Sequence, residues 1–133
     1  MKQYVIDGTA FRTLEEFAAH FSAKVLNGYE WHGNLDAFND ILRGGFGTPD
    51  DGFVLIWQNS DVSRENLGYL ETIRQLERRL VECHPSNRAK VKSELDAARR
   101  CEGSTVFDWL VEIIKDHGPE EAEREDRVEL LLQ

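Results

Sequence analysis

The chain has 133 residues, of which 41% are hydrophobic and 31% charged, and it carries a net charge of −9. This length supports one domain with a real core, and the composition excludes an intrinsically disordered chain. An acidic body repels nucleic acid and anionic membrane and attracts basic proteins, so direct nucleic-acid and membrane partners are not expected.

The charge is unevenly spread. Residues 71–100 hold eight Lys/Arg against five Asp/Glu, close to +3, which leaves −12 for the remainder. The opening MKQYVIDGTAF has no apolar leader segment and no run approaches membrane-spanning length, so a cytoplasmic location is expected. Cys83 and Cys101 are too few for a disulfide scaffold and read as reduced thiols.

In chain order, Tyr4-Val5-Ile6 followed by Asp7-Gly8 predicts a short strand ending in a turn. Thr13-Leu14-Glu15-Glu16 is a capping-box pattern, and Phe17, Phe21 and Val25 carry a helix to Asn27-Gly28. A loop with Tyr29, Trp31 and His32 follows, and Asn34 can cap a second helix that Gly44 and Gly45 end. Phe53-Val54-Leu55-Ile56-Trp57 is a continuous apolar run, as expected of a strand covered on both faces.

Residues 67–83 place Leu70, Ile73, Leu76, Leu80 and Val81 on one helical face, ending before Pro85. Ser86 opens another helix, with Val91, Leu95 and Ala98 inward and basic residues outward, so the two form an αα-hairpin. Its outer face differs in sign from the rest of the chain, which argues against a place in an acidic binding surface. Thr105 and Asp108 cap a further helix rich in Val, Leu and Ile that Gly118-Pro119 terminates. Pro119–Arg127 reads as a charged loop and Val128–Leu132 as a last strand. Strands alternating with helices imply parallel pairing. The expectation is a single α/β domain over 1–133: a small three-stranded parallel sheet with helices packed on it, and a helical insertion at about 62–103.

The second helix is the stretch that needs explaining. Leu35, Phe38 and Leu42 share one face with Ile41 at its flank, whereas Asp36, Asp40 and Arg43 lie opposite and Asn39 at the border. Asp36 in the first turn offsets the helix dipole, but Asp40 lies near the wrong end, one turn from a like charge. A solvated face with Asp40 paired to Arg43 is the plain reading; a surface kept for a cationic partner is the sharper one.

Other chemistries find less support. His20, His32, His84, His117 and the two cysteines lack ligand spacing, so no metal and no cofactor are expected. Two carboxylates on so short a helix scarcely provide the cleft that acid–base hydrolysis needs. Gly44-Gly45-Phe46-Gly47 lacks the Lys-Ser/Thr of a phosphate loop. Trp57 and Trp109 lie in apolar patterns and are expected in the core.

Gly33-Asn34-Leu35-Asp36-Ala37-Phe38, with Asp40, Leu42 and Gly44 following, resembles the signature of the barstar family of intracellular ribonuclease inhibitors. Phe53–Trp57 is similar to that family's second strand and Val128–Gln133 to its terminal strand; the resemblance covers roughly 1–58 and 104–133. It implies inhibition by occlusion, in which an aromatic loop and the following helix plug the basic active site of a ribonuclease. Asp36 and Asp40 match the two inhibitory aspartates, Gly44 a contacting glycine, and Tyr29 and Trp31 the aromatic loop in chemical type. Asn39 stands where the family has an aromatic residue, Arg43 where it has a small hydroxyl, and Glu112 is nearest to a third acidic contact. With Asn34, these residues form the expected partner-binding set.

The resemblance implies a non-enzymatic, stoichiometric inhibitor of a basic ribonuclease, with immunity to a nuclease toxin as one setting. The alternative is a binding module of the same fold whose partner is not a nuclease.

Overall fold

The computed structural model describes residues 2–118 and 127–133, so most of the expected loop from Pro119 lies outside the described residues. The elements in order are β1 (Lys2–Asp7), α1 (Leu14–Lys24), α2 (Leu35–Arg43), β2 (Phe53–Gln58), α3 (Ser60–Asn66), α4 (Tyr69–Glu82), a 3-10 turn (Pro85–Asn87), α5 (Arg88–Arg99), α6 (Val106–Lys115) and β3 (Val128–Leu132). The three strands lie in the order β1-β2-β3 and both pairs are parallel, with Tyr4 opposite Leu55 and Leu55 opposite Leu130. The expected three-stranded α/β architecture is therefore observed.

Alternation along the strands sorts the sheet into two unlike faces. Ile6, Phe53, Leu55, Trp57 and Val128 are buried in one core with Phe17 and Phe21 of α1, Phe38 of α2 and Phe107 of α6. On the opposite face Val5, Ile56 and Leu131 form a cross-strand row. Ile56 is half-buried there, while Val5 is 43% and Leu131 38% exposed. Cover on both faces was expected of β2, and on this face its Val54 is buried and its Ile56 half-buried; the flanking strands shield β2 more than they are shielded themselves.

The caps follow the sequence closely. Thr13 accepts from the Glu16 N–H (3.1 Å), although the Glu16 carboxylate reaches one residue further back, to the Arg12 N–H (2.8 Å). Thr105 and Asp108 form a reciprocal capping box at α6. The short α3 was not foreseen, because its residues carry only one large apolar side chain, Val62. It is fixed from outside: Ser63 accepts the Trp57 indole N–H (2.9 Å), and its hydroxyl lies against Gly8, where a Cβ would have no room. Leu67, just after it, is also in the main core.

α4 and α5 form the expected hairpin around their own cluster of Leu76, Val91, Leu95 and Ala98. Leu70 and Val81 do not share that face; both are exposed, because Ile73, Leu76 and Leu80 alone keep the three-and-four spacing toward α5. Trp109 of α6 is half-buried between the two clusters and is not a fully buried core residue. The entry and exit of the hairpin meet, since the Phe107 N–H donates to the Leu67 carbonyl (3.1 Å) and the Val106 N–H to Thr72 Oγ1 (2.9 Å).

A charged knot fastens α4 to α1. The buried Glu71 carboxylate accepts from the Leu14 N–H (2.8 Å), from Arg74 Nε (2.6 Å) and from Gln75 (3.0 Å), capping α1 from 57 positions away. Glu15 takes the other side of Arg74 (2.6 Å) and pairs with Arg78. Burial disfavours the Glu15 carboxylate, but the Arg74 hydrogen bond and the two guanidinium charges prevail and hold its pKa below the usual value, while the Arg74 pKa is raised by Glu71 and Glu15.

Removing the Glu71 carboxylate would leave the buried Leu14 N–H without its acceptor, with Glu15 alone still accepting from Arg74 and Gln75. Glu71→Ala is therefore expected to cost about 2–3 kcal/mol in urea unfolding. Because the folded Glu15 pKa is depressed, its contribution is present above the unfolded carboxylate value and lost as pH falls through the folded one. Wild-type thermal stability should accordingly drop on acidification through the carboxylate range, and Glu15→Gln should flatten part of that drop.

Candidate functional site: the acidic face of the second helix

The α2 helix is set by its apolar side. Phe38, Ile41 and Leu42 are buried, Asn34 caps the N-terminus by accepting from the Ala37 N–H (2.9 Å), and Gly44 ends the helix at φ +113°, a conformation that favours glycine. Asp36, Asp40 and Arg43 are exposed on the other side. Among the described residues none of these three makes an ion pair, so Asp40 is not neutralised by Arg43 and two like charges stand open to solvent one turn apart. The arrangement is an acidic ridge on a rigid base.

The aromatic loop divides in two. Tyr29 is 39% exposed and meets Phe46 edge to face at 5.4 Å; Phe46, beyond the helix, is 37% exposed. The chain segments carrying them are joined where the Asn27 N–H donates to the Gly47 carbonyl (3.0 Å). Trp31, by contrast, is only 4% exposed. Its ring stacks on Phe38 at 4.4 Å, its indole N–H donates to the Asn34 carbonyl (2.8 Å), and its backbone N–H donates to Ser22 (2.9 Å). The expectation of Trp31 as a surface aromatic is corrected: from three positions before the Asn34 cap, its buried ring packs onto Phe38, the fourth residue of the helix. Phe46 is the exposed aromatic that sequence reasoning missed, since the glycines around it read only as a helix stop.

Asn39 is likewise engaged internally. Its side-chain oxygen lies 2.8 Å from His117 Nε2, which ties α2 to the end of α6, and the His117 carbonyl accepts from the Val128 N–H (2.7 Å). Its side chain thus clamps α2, a role that was not read from the sequence. Glu112 is exposed, and it borders a cavity of ≈ 330 Å³ together with Trp109, Glu94 and Glu102, a set without Asp36 or Asp40. The structure thus gathers Asp36, Asp40, Arg43 and Gly44 on one helix, with Tyr29 and Phe46 as an exposed pair on the flanking loops.

The hairpin reaches this surface. A groove of ≈ 610 Å³ has Asn34 and Asp36 on one wall and Gln75, Arg79 and Lys90 on the other. The expectation that the hairpin's basic side stays away from the acidic surface does not hold at this point. Elsewhere, His20 accepts the Asp7 N–H (3.1 Å), and burial, followed by the Lys24 charge, lowers its pKa against the attraction of Asp7. Among the described residues no helix is long and apolar enough to cross a membrane.

If Trp31 holds α2 in place, Trp31→Ala should cost about 3–5 kcal/mol, read by urea unfolding. Asp40→Ala should leave stability unchanged or slightly raised, because it removes a like-charge neighbour and an acid near a helix C-terminus.

None of the curated proteins compared with the chain matches it. The family model described as Barstar (barnase inhibitor) matches residues 1–94, which includes the capped α2 helix and β2 and runs on into α5. The chain belongs to the barstar family, and β3, which completes its sheet, lies beyond the matched stretch.

Proposed function

We propose that this barstar-family protein is a stoichiometric inhibitor that occludes the basic active site of a ribonuclease, acting in the cytoplasm and without turnover of its own. The observation that carries this reading is the Asp36/Asp40 ridge, without an ion pair among the described residues, on a helix held at its N-terminus by Trp31 and at its middle by His117. Free carboxylates held on a rigid base can meet Lys and Arg of a partner without reorganising first. Desolvating them against a nuclease's cations repays the repulsion that they cause in the free protein, and Tyr29 with Phe46 offers aromatic surface beside them. Family membership supports the ribonuclease as the partner class; a nuclease toxin, with this chain as its immunity protein, is the form of it that an acidic intracellular inhibitor suits.

Arg43 favours a second reading. It is exposed beside Asp40 without an ion pair among the described residues, and a uniformly basic site would repel it. A partner that is not a nuclease, or one with an acid opposite Arg43, would not.

The test is a titration of barnase activity with this protein and with its Asp36→Asn and Asp40→Ala variants. Inhibition saturating at a one-to-one ratio, weakened at least a hundredfold by either substitution with thermal unfolding unchanged, is the expected result. No inhibition of barnase or of other basic ribonucleases would leave the second reading in possession. Association should also slow as ionic strength rises, because opposite charges steer the encounter; a stopped-flow rate that stays flat with salt would exclude charge guidance.

A further inference from the structure

The groove between α2 and the hairpin holds a cation that neither the fold nor the acidic ridge accounts for. Arg74 and Arg78 are consumed by Glu71 and Glu15. Arg79, on the next position, is not: among the described residues its guanidinium makes no ion pair and no hydrogen bond. It is nonetheless held, with its central carbon 5.2 Å from the centroid of the Trp109 ring. Stacking fixes the plane of a guanidinium and covers a face while leaving the N–H edge open. That residue lines the groove whose other wall carries Asp36. Glu94 in the groove and Glu82 at its outer margin make no ion pair with it.

We propose that Arg79 is a specificity-determining residue of the partner-binding surface, receiving a carboxylate of the partner protein next to the cation that Asp36 takes. The proposal rests on the reading of the α2 face as that surface. An immobilised guanidinium with its donors unspent matches a carboxylate bidentately, and the shape of the fork makes the match directional. Lys90, on the same wall and also without an ion pair among the described residues, adds attraction of the same sign. A partner whose basic surface continued unbroken past its active site would bring a cation against Arg79 and be repelled, so the hairpin selects as well as binds. A nucleic-acid phosphate is the poorer occupant, because Asp36 faces it across the groove and the chain as a whole carries −9.

The probe is a displayed barnase library in which positions bordering the active site are varied among Lys, Glu and Ala. It is selected in parallel on the wild-type protein, on Arg79→Glu and on the Asp36→Asn/Asp40→Asn double variant. Wild type should enrich Glu over Lys at one or more positions about tenfold, and Arg79→Glu should reverse that preference at the same positions. Identical charge preferences on wild type and Arg79→Glu, with recovery still lost on the double variant, would overturn the role of Arg79 and leave the α2 surface standing. Equal recovery on the double variant, or no recovery on wild type, would overturn both. Arg79→Glu should unfold thermally within a few degrees of wild type, since the side chain is exposed. Binding of a short single-stranded RNA to wild type that Arg79→Glu abolishes would likewise overturn the assignment, placing phosphate in the groove instead.

Discussion

The stacking of Trp31 on Phe38 is the constraint through which the core reaches the surface. Phe38 also meets Phe17 and Phe21 edge to face at 6.1 and 5.2 Å, so one ring joins the loop, α1 and α2 into a single aromatic assembly. Offset and edge-on ring pairs add about 0.5–1.5 kcal/mol each beyond the area they bury, and they fix orientation as well as distance. With the Asn39–His117 link on the very next residue, α2 has little freedom to roll. Its outward residues therefore point where the inward ones dictate. Two aspartates that weaken an isolated helix can persist on this one because its position does not depend on helix propensity.

The same logic separates the parts of the surface that are fixed from those that are free to change. Asp36, Asp40 and Arg43 make no ion pair among the described residues, so substitution there alters the charge shown to a partner without disturbing packing. Trp31 and Asn39 lie between or beside them in sequence, yet belong to the fold. A helix with one face committed to rings and the other uncommitted allows charge to be varied at nearly constant stability.

Most of the architecture was legible from local signals. The caps at Thr13, Asn34 and Thr105, the glycine stops and the short apolar runs each act within a few residues, and the structure follows them. Those decided by distant partners were not legible. The α3 helix has no apolar stripe and depends on Trp57 and Gly8; Glu71 looks like one more surface acid until it is found capping α1. At the site, the aspartates could be placed from helical spacing alone, because exposure is the default for a charge opposite an apolar face. The aromatics could not, because a Trp in a polar loop is equally compatible with a plug and with a staple, and only the position of Phe38 decides between them. Arg79 was placed on an outer face by sign, whereas Trp109, 30 positions later, gives it an address.

The hairpin supplies the second wall of the groove beside α2. Its two ends converge, with Leu67 and Phe107 joined by a backbone hydrogen bond, so the chain between them leaves and re-enters at one point. Closing a long excursion costs only slightly more than closing a short one, since the entropy grows with the logarithm of length. The excursion then offsets that cost locally, through its own apolar cluster and through the knot of Glu71, Arg74 and Glu15. That knot also sets its direction. With α4 tied to the first turn of α1, the next turns of α4 are carried past the N-terminus of α2, and Gln75 and Arg79 come to line the groove with Asp36. Anchoring at the base of the hairpin and the groove wall at its side are thus parts of one helix. A change that loosened the Glu71 cap would blunt the second wall while leaving the aspartates in place.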